Sequence, residues 1–240
     1  MNLVVEIGNT ALKAAWTEGT TLGKTFRYQG ERPLDYIASI TAKEKPQVMA
    51  VASFNDISVS DERRLKGMCC ELLILDPSHK EILEKHSLPS YLTYDRASAL
   101  IAVAGMFEGK ACTVVDFGTT LSIDFLGSDG SYEGGNLSLG CRTRFKALNR
   151  YTRTLPLIDT PEEIEPLGQS LRSSIESGII KGIMFEIQAY IDSKPDNIVV
   201  FTGGDAIYFV KKMKNSIFAV CNLVLMGLAQ ITDRYVRKSL

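Results

Sequence analysis

The sequence predicts an α/β fold built from two duplicated lobes, and two observations predict it. One is a motif that occurs twice. The other is that each copy opens a stretch in which strand-length apolar runs alternate with helical spacing. The first copy is Leu3-Val4-Val5-Glu6-Ile7-Gly8-Asn9-Thr10-Ala11-Leu12-Lys13 and the second is Thr113-Val114-Val115-Asp116-Phe117-Gly118-Thr119-Thr120-Leu121-Ser122-Ile123. Pairing Glu6 with Asp116 sets an offset of 110 residues (116 minus 6), under which Val4/Val114, Val5/Val115, Gly8/Gly118 and Thr10/Thr120 are identical. Each copy reads as a buried strand ending in an acid, a turn with Gly and Asn or Thr, and a return strand. The expected lobes are residues 1–110 and 111–240.

Each element follows from its pattern. After the first turn, Ala14-Ala15-Trp16 continues a strand and Glu18-Gly19-Thr20 supplies a hairpin turn. Leu34, Ile37 and Ile40 stand at helical spacing behind Pro33, a good first-turn residue, which predicts a helix over 33–43. Gln47 to Phe54 is an apolar strand, Asp61 to Cys69 an amphipathic helix and Leu72 to Leu75 a further strand. Ala97 to Ala104 is an alanine-rich helix able to pack closely, with Asp95 at its start. Cys112 to Leu126 forms the second hairpin, and Gly127 to Gly130 its polar turn. Glycines 134, 135 and 140 predict close backbone approach to a ligand or a strand. A basic helix follows over 142–151, whose Arg142, Arg144, Lys146 and Arg150, with Arg153 beyond it, read as a solvated face. Gly168 to Lys194 is a long helix with Leu171, Ile175, Ile179, Ile183, Ile187 and Ile191 every four residues, a core stripe or a subunit interface. Ile198 to Phe201 is a buried strand running into Thr202-Gly203-Gly204, and Asn222 to Lys238 is the last helix.

The chemistry sits at the turns. Glycine at 8 and 118 lets an anion approach the backbone without a Cβ in the way. The amides and hydroxyls of Asn9-Thr10 and Thr119-Thr120 can then donate to phosphate oxygens. An acid at the end of a buried strand is costly unless paired or bound to a cation, so Glu6 and Asp116 are candidates for a metal–phosphate group. Thr202-Gly203-Gly204 is a third candidate nucleotide contact. At Asp95 two readings stand: a carboxylate favoured by the helix start, or a general base for a substrate hydroxyl with Arg96 holding an anionic group nearby.

Composition sets bounds. The 240 residues suffice for one large domain or two lobes, and 45% apolar and 23% charged residues are ordinary for a globular chain. A net charge of −1 gives no field that would favour nucleic acid or an anionic membrane. The five cysteines, Cys69, Cys70, Cys112, Cys141 and Cys221, lack metal-ligand spacing and read as small buried thiols. No signal peptide or transmembrane span is read in the sequence, and a cytoplasmic location is expected.

Taken together, these residues resemble the sugar-kinase/actin/heat-shock-ATPase superfamily, two ribonuclease-H-like lobes around a nucleotide cleft. Within it the chain is similar over nearly its full length to the type III pantothenate kinases. The similarity rests on Glu6-Ile7-Gly8-Asn9-Thr10-x-x-Lys13, Pro89-x-x-Leu92-x-x-Asp95-Arg96, Asp116-x-Gly118-Thr119 and Gly130-x-Tyr132-x-Gly134-Gly135-x-Leu137-x-x-Gly140, followed in order by Leu155-Pro156, Ser177-Gly178 and Thr202-Gly203-Gly204. The resemblance implies ATP-dependent phosphorylation of pantothenate, the first step of coenzyme A synthesis. It implies Asp95 as base, and Tyr91, Thr93, Tyr94, Asp95, Arg96 and Leu171 around the substrate. Glu6, Gly8, Asn9, Thr10, Lys13, Thr119, Gly203 and Gly204 would surround the nucleotide. Asp116 would support a monovalent cation (K+ or NH4+) and Glu6 would address Mg2+. A homodimer completed by the long helix is also implied. Four positions depart from the family pattern: Glu6 for Asp, Thr93 for Gly, Leu139 for Pro, and Leu171, with Ser170 beside it, for a substrate-binding Thr. Two other readings use the same fold: a kinase of another small hydroxy acid, and a catalytically weakened nucleotide-binding regulator.

Overall fold

The computed structural model describes residues 1–239 and divides them into two compact units. The first holds residues 1–106 together with the segment from Asn222, and the second holds Phe107–Cys221.

The first unit is built on a five-stranded sheet of β1 (Asn2–Ile7), β2 (Leu12–Glu18), β3 (Thr21–Tyr28), β4 (Val48–Ser53) and β5 (Glu71–Leu75). Its order is β3-β2-β1-β4-β5. The first three strands form an antiparallel meander, while β4 and β5 run parallel to β1. Every residue of β4 is buried, as expected of a central parallel strand covered on both faces. β3 is a largely exposed edge. Helices α1 (Pro33–Thr41), α2 (Val59–Met68), the single-turn α3 (Glu81–Lys85) and α4 (Tyr94–Met106) connect and cover the strands. The parallel pairing brings strand ends together. Ile7 lies opposite Ser53, so the carboxyl ends of β1, β4 and β5 share one edge.

The second unit repeats the plan with β6 (Cys112–Phe117), β7 (Thr120–Leu126), β8 (Tyr132–Leu139), β9 (Ile198–Gly203) and the short β10 (Ile217–Ala219). Its order, β10-β9-β6-β7-β8, is the first sheet's order read from the other side: a meander, then two strands parallel to its first. β1 and β6 begin and end 110 residues apart (112 minus 2, 117 minus 7), as the motif pairing requires. The return strands do not keep that offset. Residues 8–11 join β1 to β2, but only 118–119 join β6 to β7, so Thr10 lies in a turn while Thr120 already opens β7. Helices α5 (Cys141–Tyr151), α6 (Leu171–Ser193) and α7 (Ala206–Val210) complete this unit.

The last helix, α8 (Leu223–Ser239), belongs to the first unit. The sequence boundary at 110/111 assigned it to the second lobe. It packs instead along the alanine-rich α4, and at their crossing a Cβ on Gly227 would stand 1.8 Å from the Ser98 carbonyl oxygen. Only glycine allows that approach. Among the described residues no helix is long and apolar enough to cross a membrane.

Other expectations are changed or decided. Helix α6 starts at Leu171 rather than Gly168, because the Ser170 hydroxyl accepts the Ser173 amide at 3.1 Å and the Ser173 hydroxyl accepts the Ser170 amide at 3.0 Å, a reciprocal cap. The isoleucine stripe is core: Ile175, Ile183, Ile187 and Ile191 are buried with Phe145, Phe201 and Phe209. The basic helix is likewise not a purely solvated face. Arg144 donates to the Leu139 carbonyl at 2.8 Å and the Ser138 hydroxyl at 3.0 Å, and pairs with Glu186 of α6. Of the five thiols, Cys69, Cys112 and Cys141 are buried, whereas Cys70 and Cys221 are exposed.

Candidate active site

The carboxyl-end edge of the first sheet collects the acids. Glu6 is the last but one residue of β1 and lies opposite Lys13 across the hairpin. Its Oε2 accepts from Lys13 Nζ at 3.3 Å, and its Oε1 lies over the following turn, 3.6 Å from where a Gly8 Cβ would be. Gly8 closes that turn with a hydrogen bond to the Ala11 carbonyl at 3.1 Å. Burial pushes the Glu6 carboxyl above its usual range; Lys13 opposes the shift, and the nearby charge of Asp95 adds to it.

Asp95 comes to the same place from a different element. It lies in the first turn of α4, where the helix dipole favours a carboxylate. Asp95 and Glu6 line one small pocket of about 10 Å³ with Ile7, Ala52, Ser53, Phe54 and Tyr94. Asp95 Oδ1 is buried and has no hydrogen-bond partner. Leaving a buried acceptor unmet costs about 1–3 kcal/mol, more when it is charged. Capping therefore does not account for this oxygen, an acceptor in need of a donor on a residue that lines the pocket. A substrate hydroxyl supplies one, and so does a cation with its water.

The second unit builds its turn by backbone packing. Gly118 N donates to the Thr120 carbonyl at 3.0 Å. The Thr119 carbonyl accepts from Gly140 N at 3.0 Å and from the Thr143 hydroxyl at 2.7 Å, which anchors the turn to the first turn of α5. A Cβ on Gly140 would stand 2.0 Å from the Gly118 carbonyl oxygen, so the close approach read into this glycine is to the turn itself. On the other side Gly204 N donates to the Phe117 carbonyl at 2.9 Å. Asp116 pairs in register with Thr202 on β9, and its Oδ1 lies 2.3 Å from where a Gly203 Cβ would be. Asp116, Thr119, Gly203 and Gly204 thus form one neighbourhood. No cluster of three or more Asp, Glu, His or Cys side chains able to hold a metal occurs among the described residues.

Residues 2–193 match the model of the type III pantothenate kinases. A type III pantothenate kinase of Bacteroides fragilis is 35% identical over 239 residues, covering 97% of this chain and 98% of its own length. The chain belongs to the type III pantothenate kinase family. Two solved structures agree in fold. One, described as a Baf family transcriptional activator of Campylobacter jejuni, has a TM-score of 0.65 at 20% identity and covers 98% of this chain and 99% of its own. The other, a ROK hexokinase of Thermus thermophilus, has a TM-score of 0.54 at 11% identity, covering 95% and 97%. The fold is that of the sugar kinases and actin-like ATPases.

In this type III pantothenate kinase family member the residues expected around the substrate, Leu171 apart, lie on the loop before α4 and in its first turn. Tyr91 is exposed, Leu92 and Tyr94 are buried, and Arg96 is buried within the helix. The Thr93 carbonyl accepts the Ala97 amide at 2.9 Å and so starts the helix. Leu171 is exposed, at the N-terminus of α6. Ser170, the hydroxyl beside it, is engaged in the reciprocal cap with Ser173. Sequence reasoning missed Ser53 and Phe54 as pocket walls, since nothing in an apolar strand marks which residue ends it at a site.

Proposed function

We propose that this chain transfers the γ-phosphoryl group of ATP to the primary hydroxyl of pantothenate, yielding 4'-phosphopantothenate and ADP, the first step of coenzyme A synthesis. The observation that carries the reading is the buried, unpartnered Asp95 Oδ1 in a pocket shared with Glu6, on a chain of this family.

In this reading Asp95 accepts the hydroxyl proton as the new O–P bond forms and the bond to ADP breaks. Phosphoryl transfer needs charge neutralisation and alignment more than covalent help. Gly8, Asn9, Thr10 and Lys13 of the first turn, and Thr119, Gly203 and Gly204 of the second unit, are the proposed nucleotide contacts. Lys13 already spends one donor on Glu6 and keeps two for phosphate oxygens. Tyr91, Thr93, Tyr94, Arg96 and Leu171 are the proposed pantothenate contacts. ATP is used as its Mg2+ complex, a hard cation that keeps several waters. Glu6 fits that role through water, because Oε1 points over the phosphate turn while Oε2 is held by Lys13. Asp116, set against the Gly203 backbone, is the carboxylate offered to a monovalent cation, potassium or ammonium.

The homodimer belongs to the same reading, with a change of face. With the isoleucines committed to the core, α6 leaves Leu171, Ser174, Gly178 and Phe185 exposed on its other side. We assign this face to the subunit contact, and a cytoplasmic location to the enzyme.

The test is ATP-dependent phosphorylation of pantothenate, with potassium and magnesium, by wild type, Asp95→Asn and Glu6→Asp. Wild type is expected to turn over. Asp95→Asn is expected to lose roughly 10²–10⁴-fold in kcat, the span of a positioned base, with its melting temperature little changed. Equal turnover of wild type and Asp95→Asn would sink the assignment.

A further inference from the structure

Asp76 is a fully buried carboxylate to which the proposed phosphoryl transfer gives no role. It follows β5 directly, at the sheet edge that also carries Glu6 and Ser53. Its Oδ2 accepts the Ile57 amide at 2.9 Å. Its Oδ1 accepts the Ser78 amide at 3.0 Å, the His79 amide at 3.1 Å and His79 Nδ1 at 2.7 Å. The Ser78 hydroxyl adds a second tie by donating to Asp56 Oδ1 at 2.7 Å. The loop from β4 to α2 and the turn after β5 are therefore joined at two points.

Both joined segments reach the Asp95 pocket. Phe54, at the start of the β4–α2 loop, lines it. The turn touches the pocket's other wall through Tyr94, whose hydroxyl donates to the His79 carbonyl at 3.5 Å. Burial, with Asp76, Asp56 and Glu81 close by, pushes the Tyr94 phenol up to about 12, so it stays a donor. Tyr94 opens α4 and immediately precedes Asp95. A turn of this kind needs no buried charge. A fully desolvated carboxylate costs several kcal/mol unless its partners repay it, and here four donors do.

We infer that Asp76 is a positioning residue for Asp95: it clamps the β4–α2 loop to the 76–79 turn as a fixed seat for Tyr94, and Tyr94 sets the helix start from which Asp95 meets the substrate hydroxyl. The inference rests on the reading of Asp95 as the base.

The test uses the full chain. Asp76→Asn removes the charge and turns an acceptor into a donor. For pantothenate phosphorylation kcat is expected to fall roughly tenfold while KM for ATP stays within about twofold, in a protein that still melts cooperatively. Unchanged kcat overturns the inference, and so does a loss that only matches the fraction of unfolded protein. Should Asp76→Asn not fold, His79, whose side chain is 43% exposed, carries the test. His79→Ala deletes the ring donor and is expected to lower kcat about threefold, and His79→Asn, which restores an N–H donor, to recover it. Equal rates in these two variants overturn the inference. Hydrogen exchange keeps it separate from the substrate assignment. If wild type leaves pantothenate unphosphorylated, that assignment falls; faster exchange of the Ala97 and Ser98 amides in His79→Ala still supports the clamp, and unchanged exchange there overturns it.

Discussion

Gly203 meets two demands at once. Its φ of +93° lies in the region L side chains avoid, and an added Cβ would stand 2.3 Å from Asp116 Oδ1 and 2.6 Å from Phe117 N. Gly203→Ala is expected to cost about 3 kcal/mol, read as a lower denaturant midpoint, and to displace the Asp116 carboxylate. Glu6 poses a subtler question. At fixed backbone its extra methylene carries the carboxylate about 1.5 Å further than Asp would. Glu6→Asp draws that carboxylate back from Lys13 and from the turn. A faster Glu6→Asp at limiting magnesium would show that metal placement, and not the base, limits the natural chain. At this scale the sequence was legible where chemistry repeats: Gly8, Gly118, Glu6 and Asp116 announce themselves by duplication. Asp76 did not: its Ser78 and His79 partners are neighbours in sequence, but the Ile57 amide that makes it a clamp meets it only once β4 and β5 are paired.

Among the elements, α6 shows how a cap sets a boundary that periodicity overruns. Ser170→Ala should cost about 1 kcal/mol in thermal denaturation, since it leaves the Ser173 amide without its acceptor. The Asp76–His79 pair ties two loops together with a definite dependence on pH. Burial alone would raise the Asp76 carboxyl, but the Ile57 and Ser78 amides and the His79 ring more than offset it and hold it below the ordinary value. The hydrogen bond to Asp76 raises His79, against the effect of burial. A lowered acid stabilises above its unfolded pKa and loses that contribution as pH falls through its folded pKa. A raised imidazole stabilises below its unfolded pKa and loses that contribution as pH rises through its folded pKa. The pair therefore contributes most between about pH 4 and 6.5. Melting temperatures measured from pH 6 to 8 should fall more steeply for wild type than for His79→Asn, which has no imidazole at that position and keeps only the His86 ring that both proteins share. Helices and strands with clean periods were readable along the chain. The three-residue β10 and one-turn α3 were not, because pieces that short carry no period.

For the whole molecule, the shared strand order of the two sheets is the strongest confirmation that the chain is a duplication. The division expected at 110/111 lies close to the point where the units part, but it misplaces the end of the chain. A helix's apolar face states that it must be buried, not against which sheet. The cluster around Phe117, Ile183 and Phe201 lies wholly within 107–221. A 107–221 fragment is expected to melt cooperatively, whereas a 1–106 fragment is expected to aggregate for want of the buried Leu223, Leu225 and Leu228. If the exposed face of α6 is the subunit contact, Phe185→Asp should sediment as a monomer while its far-ultraviolet dichroism stays that of wild type.

The return of α8 to the first unit has a consequence for how the protein is born. A ribosome makes the first sheet early, yet the helix that closes it emerges only after all of Phe107–Cys221. At roughly 5–20 residues per second the nascent first half waits on the order of ten seconds with the face of α4 that α8 will cover still bare. The first unit is thus begun before the second is made and closed only after it, and a chaperone has its use in that interval.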